Sequence, residues 1–377
     1  MGCNSDSITL WGHSAGAGDI NILALSPYSN HLFQRAIIQS GTAFSYWSYD
    51  KFHVDRYKAY KAYFNCTNLP EKVTSENKAM NLLIKNCLLS VSLEKLFEFR
   101  YALIDSPGPI NDDFLDDKNR IMNGSPREMM LKNFENFEKI NILTGINRVE
   151  GFSFEGYFST SIKSWHKNSN VLELPLTLER YSLLTRDKCI QNSIIGNRLK
   201  FEDYYQNKIK KPDSFGQMGK IWHQSEKNNF NTYSAKLKSI FANSDAIFDA
   251  GFIGFLNTYY NLKKETNNKN DGLYVYEYLH ENLANKGNLN QLKSYLKESL
   301  IMSTHFDGID FAFGLPIAYK LNNKTKSFRS KIKERPFENF IFDSGFNEQD
   351  IRLSKIVMTY FTNFIKNGYF FCLFNID

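Results

Sequence analysis

One pentapeptide, Gly-His-Ser-Ala-Gly at 12–16, constrains the fold of this chain more than any other segment. The apolar run at 8–11 that precedes it is typical of the end of a strand, and 15–25 places small and apolar residues at helical spacing. A strand that turns sharply into a helix strains the backbone at the serine, and glycines two residues to either side let the chain pass closely. We therefore predict a strand–turn–helix unit with Ser14 held in the open at the turn.

Other apolar segments extend this unit into an alternating β/α pattern. Strands are predicted at 36–40, 140–145 and 273–278, and an amphipathic helix at 351–365. The segment 51–100 has a helical pattern, in which Leu82, Leu83, Cys87 and Leu88 form one apolar stripe. Such alternation favours a mostly parallel sheet with helices on its faces. The polar segment 160–240 is also predicted to be helical, and Ser92 to cap a short helix. No internal repeat or linker divides the chain.

Composition narrows the class of protein. The 377 residues can bury a large core, and the 15% of aromatic residues suits either such a core, which we favour, or a ring-lined cavity. The net charge of +6 comes from basic and acidic residues mixed along the whole chain, so no nucleic-acid partner is predicted. No apolar stretch reaches the roughly 18 to 20 residues that span a bilayer. The polar residues 1–7 do not resemble a signal peptide.

The five cysteines show no spacing typical of a metal site, and we predict no metal and no cofactor. Cys66 and Cys87 could close a loop of about twenty residues, and a disulfide there would contribute roughly 3 kcal/mol. Three N-glycosylation sequons begin at Asn65, Asn123 and Asn323. They support secretion only weakly, because such triplets arise by chance in an Asn-rich chain.

A serine becomes a nucleophile only when a base takes its proton, and seven histidines could supply that base. His13 is adjacent to the serine, but we expect it to face the wrong side of a tight turn. His305 lies between an apolar segment and the aromatic–glycine segment 311–314, which suits a mobile general base on a loop. The others lie in polar contexts typical of surface histidines: His31, His53, His166, His223 and His280.

Four segments in order resemble the type-B carboxylesterase family, which includes the cholinesterases and their adhesion relatives. The serine segment 6–17 continues in register through 25–41. The segments 143–151, 305–316 and 358–364 follow it. The similarity runs from about residue 2 to about residue 368. It implies an α/β-hydrolase fold, with a partial domain at 1–368 and a divergent tail at 369–377.

The resemblance also implies roles for individual residues. Ser14 would be the nucleophile, His305 the general acid and base, and Glu150 the carboxylate that orients it, through an acyl-enzyme. The Ala15 N–H would bind the oxyanion. Ser40 would contact the acid, although a plain buried strand serine is nearly as good an interpretation.

The same resemblance pairs Cys66 with Cys87, and it implies secretion or residence in the ER lumen. The partner would be a small-molecule ester. His13 stands where cholinesterases have Glu, which puts cholinesterase-like cation binding in doubt.

The chain also departs from the family's pattern. The family's N-terminal strands and His-Gly-Gly-Gly oxyanion loop have no counterpart before Ser14, so we expect a truncated chain with impaired ester hydrolysis. Each oxyanion donor that is absent would cost roughly 3 to 4 kcal/mol. The alternatives are a non-catalytic adhesion or binding protein of the same fold, and an inactive fragment.

Overall fold

A computed structural model describes most of the segments that carry these motifs. The described residues are 4–45, 47–50, 64–66, 78–95, 108–112, 115, 120–151, 244–266, 272–281, 303–322 and 346–369. The predictions for 160–240, for Asn323 and for the tail at 370–377 lie outside them.

The described strands form one parallel sheet in which neighbours in the chain are neighbours in space. They are β1 (Thr9–His13), β2 (Arg35–Gln39), β3 (Asn141–Asn147) and β4 (Leu273–Tyr278). Strand β1 continues through the first two residues of the pentapeptide, so the turn begins at the serine itself. Because the strands are parallel, their carboxyl ends meet at one edge of the sheet, where ligand sites of open α/β sheets lie.

The helices connect and cover these strands. They are α1 (Ala15–Leu25), α2 (Lys78–Leu89), α3 (Pro126–Phe137), α4 (Ala250–Glu265, after a π-helical turn at Asp245–Asp249), α5 (Asp307–Ala312), α6 (Leu315–Asn322) and α7 (Glu348–Asn367). Local chemistry sets their ends. Ser125 and Asn347 form capping boxes at α3 and α7, and Gly368 ends α7 with a φ of 76°. Ser92 Oγ accepts from the N–H of Lys95, as predicted for a cap.

Helices pack on both faces of the sheet because successive strand residues point to opposite sides. Ala36, Ile38 and Ile142 lie in one buried cluster with residues of α1, α3 and α4. Ile37 and Leu143 lie in the other, against Phe361 and Phe364 of α7. The predicted α/β class with a parallel sheet and flanking helices is confirmed. None of the helices among the described residues has the length and apolar character needed to cross a membrane.

Helix α2 carries the apolar stripe predicted within 51–100, and one residue of that stripe, Leu83, is 48% exposed. A disulfide joins Cys87 of the helix to Cys66, with Cα atoms 6.1 Å apart. Cys66 is buried, as is Phe64. The bridge that the family resemblance implies is therefore present.

Removal of this bridge is expected to destabilise the protein. The double variant Cys66→Ala/Cys87→Ala should lose about 3 kcal/mol of unfolding free energy, because it frees a loop of 21 residues in the unfolded chain. Urea unfolding under non-reducing conditions measures the loss. A reductant should bring the unmodified protein to the level of the variant and leave the variant unchanged. An equal effect of reductant on both would contradict the prediction.

Candidate active site

Ser14 lies at the turn between β1 and α1, in a backbone conformation that residues other than glycine rarely adopt. Its φ is 58° and its ψ is −119°. Neighbouring elements hold this conformation. The Ser14 N–H donates to the carbonyl of Gln39 at 2.9 Å, and its own carbonyl accepts from the N–H groups of Ala17 and Gly18 at 3.0 and 3.1 Å. The predicted serine turn is thus present, and hydrogen bonds from β2 and α1 maintain its strain.

The two glycines of the pentapeptide have different roles. A Cβ atom at Gly12 would lie 2.3 Å from the carbonyl oxygen of Gly16, so no other residue fits there without a backbone shift. Apart from its chain neighbours and the backbone of its own helix, a Cβ at Gly16 would meet no heavy atom of the described residues within 4 Å. The expectation that both glycines permit a close approach is therefore wrong for Gly16. Its backbone, rather than its lack of a side chain, makes the contact.

His305 and Glu150 form a buried pair at the same edge of the sheet. His305 Nδ1 lies 2.6 Å from Glu150 Oε2, and the side chains are 1% and 0% exposed. A carboxylate only accepts hydrogen bonds, so the ring proton lies on Nδ1 and Nε2 is left with its lone pair. The second carboxylate oxygen accepts from the backbone N–H of Asn147 at 2.6 Å. Glu150 is thus fixed at both oxygens.

His305 was predicted to be a mobile residue on a loop. The loop position is correct, but the expectation of mobility is not. It lies in the turn before α5, but its ring is buried. The rings of Phe248 and Phe306 lie 4.6 and 4.9 Å from it, centroid to centroid. The aromatic packing holds the imidazole in one orientation.

His13 contacts the same histidine, which the sequence did not predict; the expectation that it does not face Ser14 as a base stays a prediction. Its ring lies 4.6 Å from the ring of His305, and its Nε2 lies 2.8 Å from the His305 carbonyl oxygen. Burial, followed by the charge of His305 when protonated, lowers the pKa of His13 to about 4. His13 is therefore uncharged at neutral pH.

Asn147, which no sequence pattern singled out, joins the parts of the site. It is the last residue of β3 and is buried. Its side-chain amide donates to the carbonyls of Thr304 and His305 at 2.7 and 3.0 Å. The same amide reaches Ser40 Oγ at 3.5 Å. Ser40, buried and with a φ of 54°, thus connects to Glu150 through Asn147.

Two further carboxyl groups, Asp245 and Asp249, lie beside this site on the π-helical turn that carries Phe248. Burial, the charge of Asp245 and the charge of Glu150 raise the pKa of Asp249 to about 7. Burial also raises the pKa of Asp245, while a hydrogen bond from Asp249 acts in the opposite direction. Asp249 thus keeps its proton to a much higher pH than an ordinary aspartate, and its side chain is hydrogen-bonded to Asp245.

Replacement of Asp249 with Asn should stabilise the protein above pH 7. The native state holds the Asp249 proton up to about pH 7, whereas the unfolded state releases it near pH 3.8. The free energy of unfolding therefore falls as pH rises from about 4 to about 7, because only the unfolded state gains by losing this proton there. An amide keeps the donor to Asp245 without the charge. We expect a gain that is absent near pH 4 and grows to at most about 4 kcal/mol at pH 8. Urea unfolding across pH measures it, and exposed Asp6→Asn is the matched control. A gain that does not depend on pH would contradict this cause.

The remaining predicted site residues occupy varied environments. Ala15 is exposed and is the first residue of α1, where helical N–H groups have no partner within the helix. Asn65 is exposed, whereas Asn123 is partly buried with its Oδ1 atom enclosed. Among the described residues, no group of three or more His, Cys, Asp or Glu side chains is placed to hold a metal ion.

Sequence comparisons identify the family of the chain. The model of the carboxylesterase family matches residues 1–369. The chain is 24% identical to neuroligin-3 of Mus musculus over 367 residues, which is 96% of this chain and 35% of that protein. Neuroligin-2 of Rattus norvegicus is 22% identical over 98% of this chain and 35% of its own length. Cholinesterase 1 of Branchiostoma lanceolatum is 29% identical over 40% of this chain and 41% of its own.

The chain thus spans about a third of the length of the neuroligins that it matches. The family model, in contrast, extends over nearly all of it. The parallel sheet, the helices on both faces and the serine turn at the end of β1 accord with that match. The chain belongs to the carboxylesterase family and has the α/β-hydrolase fold.

Proposed function

We propose that this protein hydrolyses carboxylic esters, with Ser14 as nucleophile, His305 as general acid and base, and Glu150 as the group that orients the histidine. The observation that carries the proposal is the buried hydrogen bond of 2.6 Å between Glu150 and His305. His13, whose ring packs on His305, directly precedes the serine in the chain. A carboxylate, an imidazole and a strained serine turn at one sheet edge are the parts that acyl transfer requires.

The reaction proceeds in two halves. His305 Nε2 takes the proton of Ser14 Oγ as this oxygen attacks the ester carbonyl, and the carbonyl π electrons move to its oxygen. The tetrahedral species collapses, the C–O bond breaks, and the imidazolium gives its proton to the departing alcohol. Water then attacks the acyl-enzyme by the same steps and releases the acid. Glu150 stabilises the imidazolium that forms in each half.

The oxyanion of the tetrahedral species needs donors, and we assign the Ala15 N–H to this role. It lies at the start of α1, where the helix dipole also favours negative charge. Each backbone donor to the oxyanion should contribute about 3 to 4 kcal/mol of transition-state stabilisation.

Serine labelling tests the proposal directly. A fluorophosphonate probe should modify the folded protein at the peptide that contains Ser14, as mass spectrometry would identify. A short-chain nitrophenyl ester should give a burst of nitrophenol that matches the labelled fraction. Heat-denatured protein is the control, since labelling must depend on the assembled site. Absence of both label and burst in folded protein would overturn the proposal.

A second candidate function is non-catalytic adhesion, and the neuroligin matches are the observation that favours it. The family that the chain resembles includes adhesion proteins. The partner would then be a protein rather than an ester. A binding partner that is captured by folded protein without any serine reactivity would support this function. Serine labelling would instead favour the esterase, because adhesion requires no reactive Ser14.

We also propose that the protein is secreted or resides in the ER lumen. The disulfide between Cys66 and Cys87 supports this, since such bonds persist in oxidising compartments. Of the two sequons that lie in the described part of the chain, exposed Asn65 is better placed to carry a glycan than partly buried Asn123. Expression in a eukaryotic cell should give a band that shifts on glycosidase treatment, and Asn65→Gln should remove that part of the shift. A protein that enters the medium without a shift would refute the glycan at Asn65.

A further inference from the structure

His13 has a defined hydrogen-bonding role at the end of β1. Its Nε2 lies 2.8 Å from the carbonyl oxygen of His305. A carbonyl only accepts, so Nε2 carries the proton of the neutral ring. The same carbonyl accepts from the side chain of Asn147 at 3.0 Å. Two donors, one from β1 and one from β3, thus hold the backbone of the residue that we assign as the base.

The ring of His13 also packs within the aromatic group around His305. It lies 4.6 Å from the ring of His305 and 5.5 Å from that of Phe306, centroid to centroid. At that separation a charge on His13 would repel the imidazolium that His305 becomes during acyl transfer. A neutral ring contributes packing and a donor without this repulsion.

The surroundings keep His13 neutral. Burial and the nearby His305 lower its pKa, and the hydrogen bond to the carbonyl and the charge of Glu150 act less strongly in the opposite direction. The nearby carboxyl groups of the π-helical turn are not among the causes that shift the pKa of His13; the pKa of Asp249 is itself raised by Asp245 and Glu150. The groups that set the charge of His13 are therefore His305, in the turn before α5, and Glu150, after β3.

We propose that His13 is a positioning residue for His305, an inference that rests on the proposed ester hydrolysis. Its neutral ring binds the backbone of the base to the strand that carries the nucleophile. The serine turn and the base then keep a fixed separation, although 291 positions separate Ser14 and His305 along the sequence. The residue next to the nucleophile thus acts through the base and does not itself exchange a proton with the substrate.

Three variants of the full chain separate the donor, the ring and the charge. Glutamine at position 13 keeps a neutral donor near the place of Nε2, phenylalanine keeps a ring without a donor, and glutamate adds a negative charge. The readout is the rate at which a fluorophosphonate modifies Ser14, measured from pH 5 to 9. Thermal unfolding of each variant shows whether it is folded. His13→Met replaces His13→Phe should the latter not fold.

We expect His13→Gln to react within about threefold of the unmodified protein and His13→Phe about tenfold more slowly, the effect of one buried hydrogen bond. Neither should shift the acidic limb of the pH profile, because His13 carries no charge there. His13→Glu should move that limb to higher pH, since a carboxylate favours the protonated base. A purely structural role would lower stability without this pattern across pH.

Three results would overturn the inference. They are an unchanged rate in folded His13→Phe, a rate in His13→Gln as low as in His13→Phe, and loss of the acidic limb in His13→Phe, which would make His13 the base. An independent readout is the NMR signal of the His13 ring Cε1–H, assigned by its absence in His13→Gln. It should keep the shift of a neutral ring from pH 8 to pH 5, and titration near pH 6.5 would refute the neutral donor. This NMR readout tests whether His13 is a neutral donor even if Ser14 proves unreactive and ester hydrolysis is refuted.

Discussion

Replacement of His305 with Gln is expected to lower kcat/KM for a short-chain nitrophenyl ester by about 10⁴-fold. Glutamine cannot take the proton of Ser14 Oγ at neutral pH, so the serine stays a weak nucleophile. The imidazole of His305 lies 2.6 Å from Glu150 and is 1% exposed, and solvent bases therefore cannot substitute for it easily. Steady-state hydrolysis and the rate of phosphonate labelling measure the loss.

The chain offers a matched control in a second histidine–carboxylate pair. His280 Nε2 lies 2.7 Å from Asp350 Oδ1, after β4 and at the first turn of α7. We expect His280→Gln to keep activity within about threefold, because this pair links the first turn of α7 to the segment after β4 and is not part of the proposed triad. A similar loss in both variants would mean that the effect of His305→Gln comes from misfolding. The double variant Ser14→Ala/His305→Gln should be no worse than Ser14→Ala, since the two residues act as a unit.

Substitution of Gly12 by Ala is expected to cost about 3 kcal/mol of unfolding free energy. The added Cβ would lie 2.3 and 2.4 Å from the carbonyl oxygen and carbon of Gly16, and 2.7 Å from Ile20 Cδ1. Backbone atoms of a helix cannot move aside as a flexible side chain can. The end of β1 and the start of α1 must therefore separate, which also disturbs the serine turn between them. Urea unfolding measures the cost.

Gly16→Ala is the matched control for this prediction. Apart from its chain neighbours and the helix backbone, its Cβ would meet no heavy atom of the described residues within 4 Å, and Gly16 lies within α1. Alanine is the better helix former, so we expect this variant to be as stable as the unmodified protein or up to about 1 kcal/mol more stable. Equal losses at both positions would show that the turn requires two glycines, as the sequence pattern alone suggests.

Much of the described fold follows from local patterns. The helix predicted at 15–25 and the strand predicted at 273–278 have those bounds in the structure, and the strands predicted at 36–40 and 140–145 lie within two residues of theirs. Hydrophobic spacing predicts such elements because each must turn its apolar side to one core. The exposure of Leu83 in α2 could not be predicted in this way, since spacing marks a residue as apolar and does not say whether a neighbour covers it.

In the candidate site, too, some features could be predicted from local sequence and others could not. Ser14, Glu150 and His305 could be proposed from motifs, because each lies in a short segment with a characteristic pattern. The contacts that arrange them could not. His13 reaches the carbonyl of a residue 292 positions away, and Asn147 joins the ends of β3 and the turn before α5. The pKa of Asp249 depends on burial and on Glu150, neither of which its local sequence indicates.

The amino-acid sequence by itself determined the strand–turn–helix unit around Ser14, the α/β class and the residue types available for acyl transfer. These depend on hydrophobic spacing and on the steric freedom of glycine, which act over a few residues. Only the tertiary structure decided that Gly12 and not Gly16 lacks room for a side chain, that His305 is buried against Glu150, and that His13 is a neutral donor to its backbone. Those properties depend on distances and on exclusion of water between segments that only the folded sheet brings together.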